Sequence, residues 1–164
     1  MEIVRAERSD LADLAGLADR VWHEYFPCIL SEEQIDYMVE QFQSLRAMSD
    51  QIERQGYEYY FLRDGKETVG YMGIRPDGQK MFLSKLYLTG ENRGKGYASR
   101  AFDFLERYSR NLGKNAIWLT VNKYNDHSIA VYRHRGFATV KSQVTDIGNG
   151  YVMDDYVMEK KLEP

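Results

Sequence analysis

The chain has 164 residues, 43% of them hydrophobic and 29% charged, with a formal net charge of −3. That length suits one domain with a proper core, here 1–164, and that composition excludes a disordered chain. A slightly negative charge argues against bulk nucleic-acid binding, and no apolar run approaches the ~20 residues a membrane span needs. The start, Met-Glu-Ile-Val-Arg, lacks the apolar core of a secretory signal. Cys28 is the only cysteine, so no intramolecular disulfide can form. Both point to a cytoplasmic protein.

Ile3 and Val4 read as a short first strand. Leu11, Leu14, Ala15, Ala18 and Trp22 then recur at helical spacing behind the capping residues Ser9 and Asp10, until Pro27 breaks the pattern. Ser31 to Gln34 forms a capping box, and Ile35, Met38, Val39, Phe42 and Leu45 make one apolar helical stripe. A further helical turn ends at Gly56. Tyr57 to Arg63 and Thr68 to Ile74 read as strands joined by Asp64-Gly65, a hairpin signal. Asp77-Gly78 marks the next turn before the strand Lys80 to Leu88.

That strand runs straight into Thr-Gly-Glu-Asn-Arg93-Gly94-Lys95-Gly96-Tyr97-Ala98 and an amphipathic helix. Glycines let main-chain NH groups approach phosphate oxygens closely, and the helix start offers unsatisfied NH groups and positive dipole to the same anion. Arg93 and Lys95 add charge. A P-loop fails here, because only three residues separate Gly90 from Gly94-Lys95, where four are needed, and Gly96 replaces the magnesium-binding hydroxyl. A dinucleotide fingerprint also fails: Ser99 replaces its third glycine, and the next strand ends in Val121-Asn122 without a carboxylate.

The helix, from about Lys95 to Leu112, carries Ala98, Ala101, Phe102, Leu105, Tyr108 and Leu112 on one face, and Gly113 ends it as a left-handed cap. Ala116 to Val121 is an interior strand, so strand, helix and strand make a right-handed parallel crossover. Asn125 or Asp126 caps a short helix that Gly136 stops. Phe137 to Val144 and Tyr151 to Lys160 read as a final hairpin across Gly148-Asn149-Gly150.

Arg93-Gly-Lys-Gly96-Tyr-Ala98 satisfies every position of the pattern Arg/Gln-x-x-Gly-x-Gly/Ala. Downstream, a strand ending at Asn122 leads into Asn125-Asp-His-Ser-Ile-Ala-Val-Tyr132 and then Gly136-Phe137. With these two blocks, spanning roughly Lys80 to Phe137, the chain resembles the GNAT superfamily of acetyl-CoA-dependent N-acetyltransferases. Ser128 stands where the family pattern has alanine, a small-for-small departure. The resemblance implies an α/β fold with a mixed, mostly antiparallel central sheet and helices on both faces, the acyl-CoA N-acyltransferase fold. It implies acetyl-CoA as co-substrate, with the pyrophosphate on Arg93, Gly94, Lys95, Gly96, Tyr97 and Ala98. Pantetheine amides then pair with the strand edge at Leu86, Tyr87 and Leu88, the Leu88 NH meets the developing oxyanion, and Asn122 and Asn125 also bind the coenzyme.

Acetyl transfer needs a neutral amine to attack the thioester and a thiolate to leave. Tyr132 is the candidate general acid, although a phenol near pKa ~10 is a weaker acid than an ordinary thiol at ~8.5. The competing assignment for Tyr132 is packing beside Ile129, and for Asn125 it is a plain N-cap. The base is open: the strand Met81 to Leu88 offers Ser84, Lys85 and Tyr87, and a charged lysine is no base. Water chains to backbone carbonyls, or Asp154 and Asp155, remain candidates. Trp22, Tyr25, Phe26 and Tyr37 bracket the joint of the first two helices, where packing into the core is the competing assignment. The resemblance implies that this joint lines the acceptor cleft, which makes Trp22 and Tyr25 candidate acceptor contacts, since aromatics embrace cationic amines. Asp154 and Asp155 supply charge for a small cationic acceptor, and the Trp22 to Tyr25 joint and the carboxyl end are similar to bacterial polyamine acetyltransferases. Strand alternation lets at most one of the two aspartates face a given cleft unless a bulge intervenes, and a solvated strand end or turn is the competing assignment for the pair. His23, His127 and His134 show no metal-ligand spacing, so no metal is expected. An acyl-CoA-binding module without turnover, and an acetyltransferase acting on a protein or peptide amine, stay open as alternatives, as does a homodimer.

Overall fold

The computed structural model describes residues 1–163. Its framework is seven strands, β1 (Glu2–Arg5), β2 (Glu58–Asp64), β3 (Glu67–Asp77), β4 (Lys80–Leu88), β5 (Ala116–Asn122), β6 (Ala138–Gly148) and β7 (Tyr151–Lys161). The α-helices are α1 (Leu11–Tyr25), α2 (Glu32–Met38), α3 (Leu45–Arg54), α4 (Tyr97–Asn111) and α5 (Asp126–His134). Strand neighbours follow the order β1-β2-β3-β4-β5-β7-β6. β4 and β5 pair in parallel, whereas β1–β2, β2–β3, β5–β7 and β6–β7 are antiparallel. This is the mixed, mostly antiparallel sheet expected from the sequence.

The chain divides into two compact units. The first comprises Met1–Arg75 and Ser84–Leu105. Alternation along β2 sends Tyr59 and Phe61 to one face and Tyr60 and Leu62 to the other. Tyr59, Phe61 and Tyr71 pack on Leu14, Ala18 and Val21 of α1 and Met48 of α3. Leu62 and Val69 pack on Tyr97 and Ala101 of α4, so helices cover both faces of these strands. Burying each such aromatic or leucine stabilises the fold by about 1.5–3 kcal/mol.

One expected helix is different. Ser31 does cap α2, its hydroxyl accepting from the Gln34 NH at 3.2 Å. The stripe from Ile35 to Leu45 is nevertheless not one face, because the helix widens to π geometry over Val39–Gln43 and stops at Ser44. Ser44 has extended backbone and caps a new helix, its hydroxyl accepting from the Ala47 NH at 3.2 Å. The π turn shifts the helical phase, so Gln43 is buried and Leu45 is 48% exposed. The single turn expected before Gly56 is the ten-residue helix α3.

The second unit comprises Pro76–Leu83 and the chain from Glu106. Here β4 pairs with β5 at Lys80↔Ala116, Met81↔Ile117 and Phe82↔Trp118. β7 lies beside β5, with register from Ala116↔Lys161 to Asn122↔Asp155, and β6 takes the edge. The β6–β7 hairpin turns through Gly148, Asn149 and Gly150, all at positive φ. Glu106 accepts from Lys160 Nζ at 2.8 Å and Arg135 Nη2 at 2.5 Å, joining α4, β7 and the end of α5.

Candidate active site

In the first unit, β4 leads through Thr89 into the glycine loop. The Thr89 NH donates to Val69 O at 3.0 Å, and Asn92 Nδ2 donates to Thr89 Oγ1 at 2.7 Å and Glu67 Oε1 at 3.1 Å, which fixes where the loop begins. Gly94 (φ 77°) and Gly96 (φ 84°) take the left-handed conformation, and a Cβ on either would meet no heavy atom within 4 Å. The loop therefore presents bare backbone to open space. α4 starts at Tyr97, and its earliest bond is Arg100 NH to Gly96 O at 3.3 Å, so the preceding amides belong to the unsatisfied first turn. Tyr97 Oη donates to Asp64 Oδ2 at 2.5 Å and anchors the helix start. The Arg93 guanidinium lies 4.9 Å from the Tyr25 ring centroid, with Nη2 buried and without a hydrogen-bond partner. An orphaned cation nitrogen beside free amides fits a phosphate group.

The aromatic joint is a packed cluster. Trp22 meets Phe26 in a tilted pair at 4.5 Å, and Tyr87 from β4 meets Trp22, Tyr25, Phe26 and Tyr71 edge-on or tilted at 5.7–6.1 Å. Trp22 Nε1 donates to Tyr71 Oη at 3.1 Å, and Tyr71 Oη donates to Gln43 Oε1 at 3.0 Å, which is why Gln43 is buried. Trp22 is thus a core side chain with its polar handle already engaged, while Tyr25 is half-buried under Arg93.

Lys85 departs from the charged side chain expected of it. It is 7% exposed, its Nζ donates to Tyr59 Oη at 2.5 Å, and Tyr59 Oη donates to Gln51 Oε1 at 2.5 Å. The rings of Tyr57 and Tyr59 lie 5.1 and 5.0 Å from the ammonium nitrogen. Burial pulls its pKa down from 10.5 to about 7, so near neutral pH about half of it carries no charge.

In the second unit, Asn122 Oδ1 accepts from the Tyr124 NH at 2.9 Å, and Asn125 Oδ1 accepts from the Ser128 NH at 3.3 Å. Asn125 is the N-cap of α5, and the serine that replaced the expected alanine supplies the capped amide. Tyr132, in the last turn of α5, is half-buried against Phe137 at 5.9 Å. Asp154 and Asp155 point to opposite faces of β7, as alternation requires. Asp154 binds Lys123 Nζ at 2.8 Å. Asp155 is 4% exposed and lines a groove of about 510 Å³.

That groove was invisible in the sequence. Its floor is Phe82 on Trp118, stacked at 4.2 Å, and these two form the final pair of the β4–β5 ladder. Asp77, Asp155 and Glu159 set three carboxylates in its wall against the ammonium groups of Lys80 and Lys141. Trp118 Nε1 donates to Asp77 Oδ2 at 3.0 Å, and Lys80 Nζ pairs with Glu159 Oε1 at 2.6 Å. A period of two in Met153, Asp155, Val157 and Glu159 put those four on one face, but nothing local told which strands stand opposite.

Residues 18–137 match the family model described as "Acetyltransferase (GNAT) family". The chain belongs to this family. An uncharacterized N-acetyltransferase from Lactobacillus delbrueckii subsp. lactis is 22% identical over 170 residues, covering 99% of this chain and 98% of that protein. Among solved structures, the PaiA N-acetyltransferase of Thermoplasma acidophilum in complex with coenzyme A has a TM-score of 0.80 at 21% identity, covering 98% of each chain. The spermidine/spermine N-acetyltransferase SpeG of Vibrio cholerae has a TM-score of 0.68 at 20% identity, covering 98% of this chain and 92% of that one. This GNAT chain is accordingly an N-acetyltransferase with acetyl-CoA as its co-substrate. Among the described residues, no group of three or more His, Cys, Asp or Glu side chains is arranged to hold a metal ion. No helix is long and apolar enough to cross a membrane.

Proposed function

We propose that this GNAT enzyme acetylates a primary amine of a small cationic acceptor, a polyamine being the class that fits best, by direct attack of the amine on the thioester of acetyl-CoA. The observation that carries the reading is the groove: an aromatic floor of Phe82 and Trp118 under the carboxylates of Asp77, Asp155 and Glu159. Aromatic faces and carboxylates attract ammonium groups, and of the three carboxylates Asp155 is the one that neither Trp118 nor Lys80 already engages. The fold shared with the Vibrio SpeG enzyme, a spermidine/spermine N-acetyltransferase, supports the same acceptor class.

In this reading Arg93, Gly94, Lys95, Gly96, Tyr97 and Ala98 hold the pyrophosphate with backbone NH groups and the Arg93 guanidinium. The Ser84–Leu88 half of β4 makes no registered pair with β5, so the edge at Leu86, Tyr87 and Leu88 has backbone groups for pantetheine, and the Leu88 NH faces the oxyanion. Asn122 at the end of β5 and Asn125 at the cap of α5 meet the coenzyme, and Tyr132 protonates the departing sulfur as the C–S bond breaks. Tyr25 flanks the coenzyme side through Arg93, and Trp22 supports it from the core. Asp154 acts through its pair with Lys123.

The test is release of free coenzyme A thiol with spermidine, n-butylamine, an arylamine, an aminoglycoside and a lysine peptide. Spermidine is expected to have the highest kcat/KM. Preference for the peptide assigns a protein amine, and coenzyme binding without thiol release from any of them removes small-amine turnover.

A further inference from the structure

We infer that Asp155 is the general base of the transfer, its carboxylate taking a proton from the acceptor nitrogen as that nitrogen bonds to the acetyl carbon. This rests on the amine reading above and adds the group it leaves unassigned. The acceptor loses its ammonium proton to water before attack. When the lone pair then forms the C–N bond, the carbonyl π pair moves to oxygen and the nitrogen becomes positive, so its N–H is a far stronger acid than a free alkylammonium. Asp155 takes that proton. The oxygen pair returns, the C–S bond breaks with its pair on sulfur, the thiolate is protonated, and Asp155 yields its proton to water. Amine and thioester have become amide and thiol.

Three observations single out this carboxylate. It is 4% exposed yet lines the groove. The other two carboxylates there are engaged, Asp77 by the Trp118 indole NH and Glu159 by Lys80. Among the described residues no side chain is hydrogen-bonded or ion-paired to Asp155. Its ladder neighbours are Asn122 on β5 and Gln143 on β6, so it also sits across from an asparagine assigned to the coenzyme. The charged groups around it are Asp154 on its own strand, Lys123 after β5, Lys141 on β6, and Asp77, Lys80 and Glu159 along the groove. Burial is the largest influence and the Asp154 charge adds to it, against a smaller pull from Lys123, so its pKa is pushed up from 3.8 to about 6. A carboxylate with that pKa is ionised at pH 7 and a stronger base than an ordinary aspartate.

The experiment follows thiol release from pH 5 to 9 with spermidine and n-butylamine, using the wild type, Asp155→Asn and Asp155→Glu, with acetyl-CoA affinity measured by calorimetry. The wild type should show an acid limb near pH 6 in kcat/KM, separate from the limb set by the amine. Asp155→Asn should lose that limb and about 10²-fold in kcat while keeping acetyl-CoA affinity, and Asp155→Glu should recover part of the rate together with a limb. If Asp155→Asn does not fold, a folded Asp155→Glu enzyme without any such limb overturns the inference. So does a limb that survives in Asp155→Asn, or a raised KM at unchanged kcat, which means the carboxylate only holds charge. Absence of thiol release by the wild type with either amine sinks the acceptor reading itself and this inference with it, a result distinct from any of the variant outcomes.

Discussion

The glycine loop takes its bare backbone and its Arg93 cation from the consecutive residues Arg93 to Ala98, whereas the groove gathers its wall from β3, β4, β5, β6 and β7 between Asp77 and Glu159. A backbone cradle depends on φ values and on where a helix starts, and both are local properties. A groove walled by carboxylates and aromatic rings depends on side chains brought together by register, and no short segment specifies that. The two regions should therefore break differently: the loop through conformation at single positions, the groove through charge and protonation.

The largest effect is expected at Gly96. Gly96→Val forces a β-branched residue to φ 84° and fills space that is open in the structure, so acetyl-CoA binding should fall by at least about 10²-fold while far-UV circular dichroism stays native. Unchanged affinity in the folded variant would remove the loop as the pyrophosphate cradle. Next comes Tyr132→Phe, which preserves the packing on Phe137 and removes only the hydroxyl. As general acid, Tyr132 predicts a kcat lowered by about 10² to 10⁴-fold at constant acetyl-CoA affinity; as a packing residue, it predicts equal turnover.

Smaller effects separate two of the buried ionisable groups, Lys85 and Asp155. Lys85 has a folded pKa depressed to about 7, so between there and its ordinary 10.5 the unfolded chain binds the extra proton. Its contribution to stability is complete at high pH and is lost as pH falls through 7. Wild-type stability should thus climb between pH 7 and 10 by at most about 1.4 kcal/mol per unit, and Lys85→Met should flatten that slope in denaturant titrations. Asp155 has the opposite sign. Its folded pKa is raised, so stability present below pH 4 is lost as pH rises through 6. Asp155→Asn should be more stable than the wild type at pH 7 by about 2 kcal/mol, and equal to it near pH 4. For a chain of this size that is roughly 4–8 °C in Tm. A stabilised but slow variant is what a base held in an unfavourable environment predicts; a Tm unchanged at both pH values argues that Asp155 is well solvated.

Much of the fold was legible from the chain. β4 spans Lys80–Leu88 as read, the Asn125 cap and the Gly148-Asn149-Gly150 turn are where composition put them, and Gly113 ends α4 at φ 75°. The stripe after Ile35 misled because apolar spacing cannot register a π turn, and because Ser44 offers its hydroxyl to a new helix start instead of continuing the old one. Lys85 misled because charge was assigned from residue type, while its protonation depends on Tyr57, Tyr59 and Gln51, which stand 26 or more positions away in the chain.

By itself the sequence determined the elements whose causes are local: glycines at left-handed positions, capping serines and asparagines, alternating strands, and a glycine loop at a helix start. It also made opposite faces for Asp154 and Asp155 the expectation, since only a bulge between them would break strand alternation. Only the tertiary structure decided which of the two enters the groove, because that depends on β7 lying between β5 and β6 in one particular register. Register is set by long-range packing of strand faces, and shifting it by one residue would exchange Asp155 for Asp154.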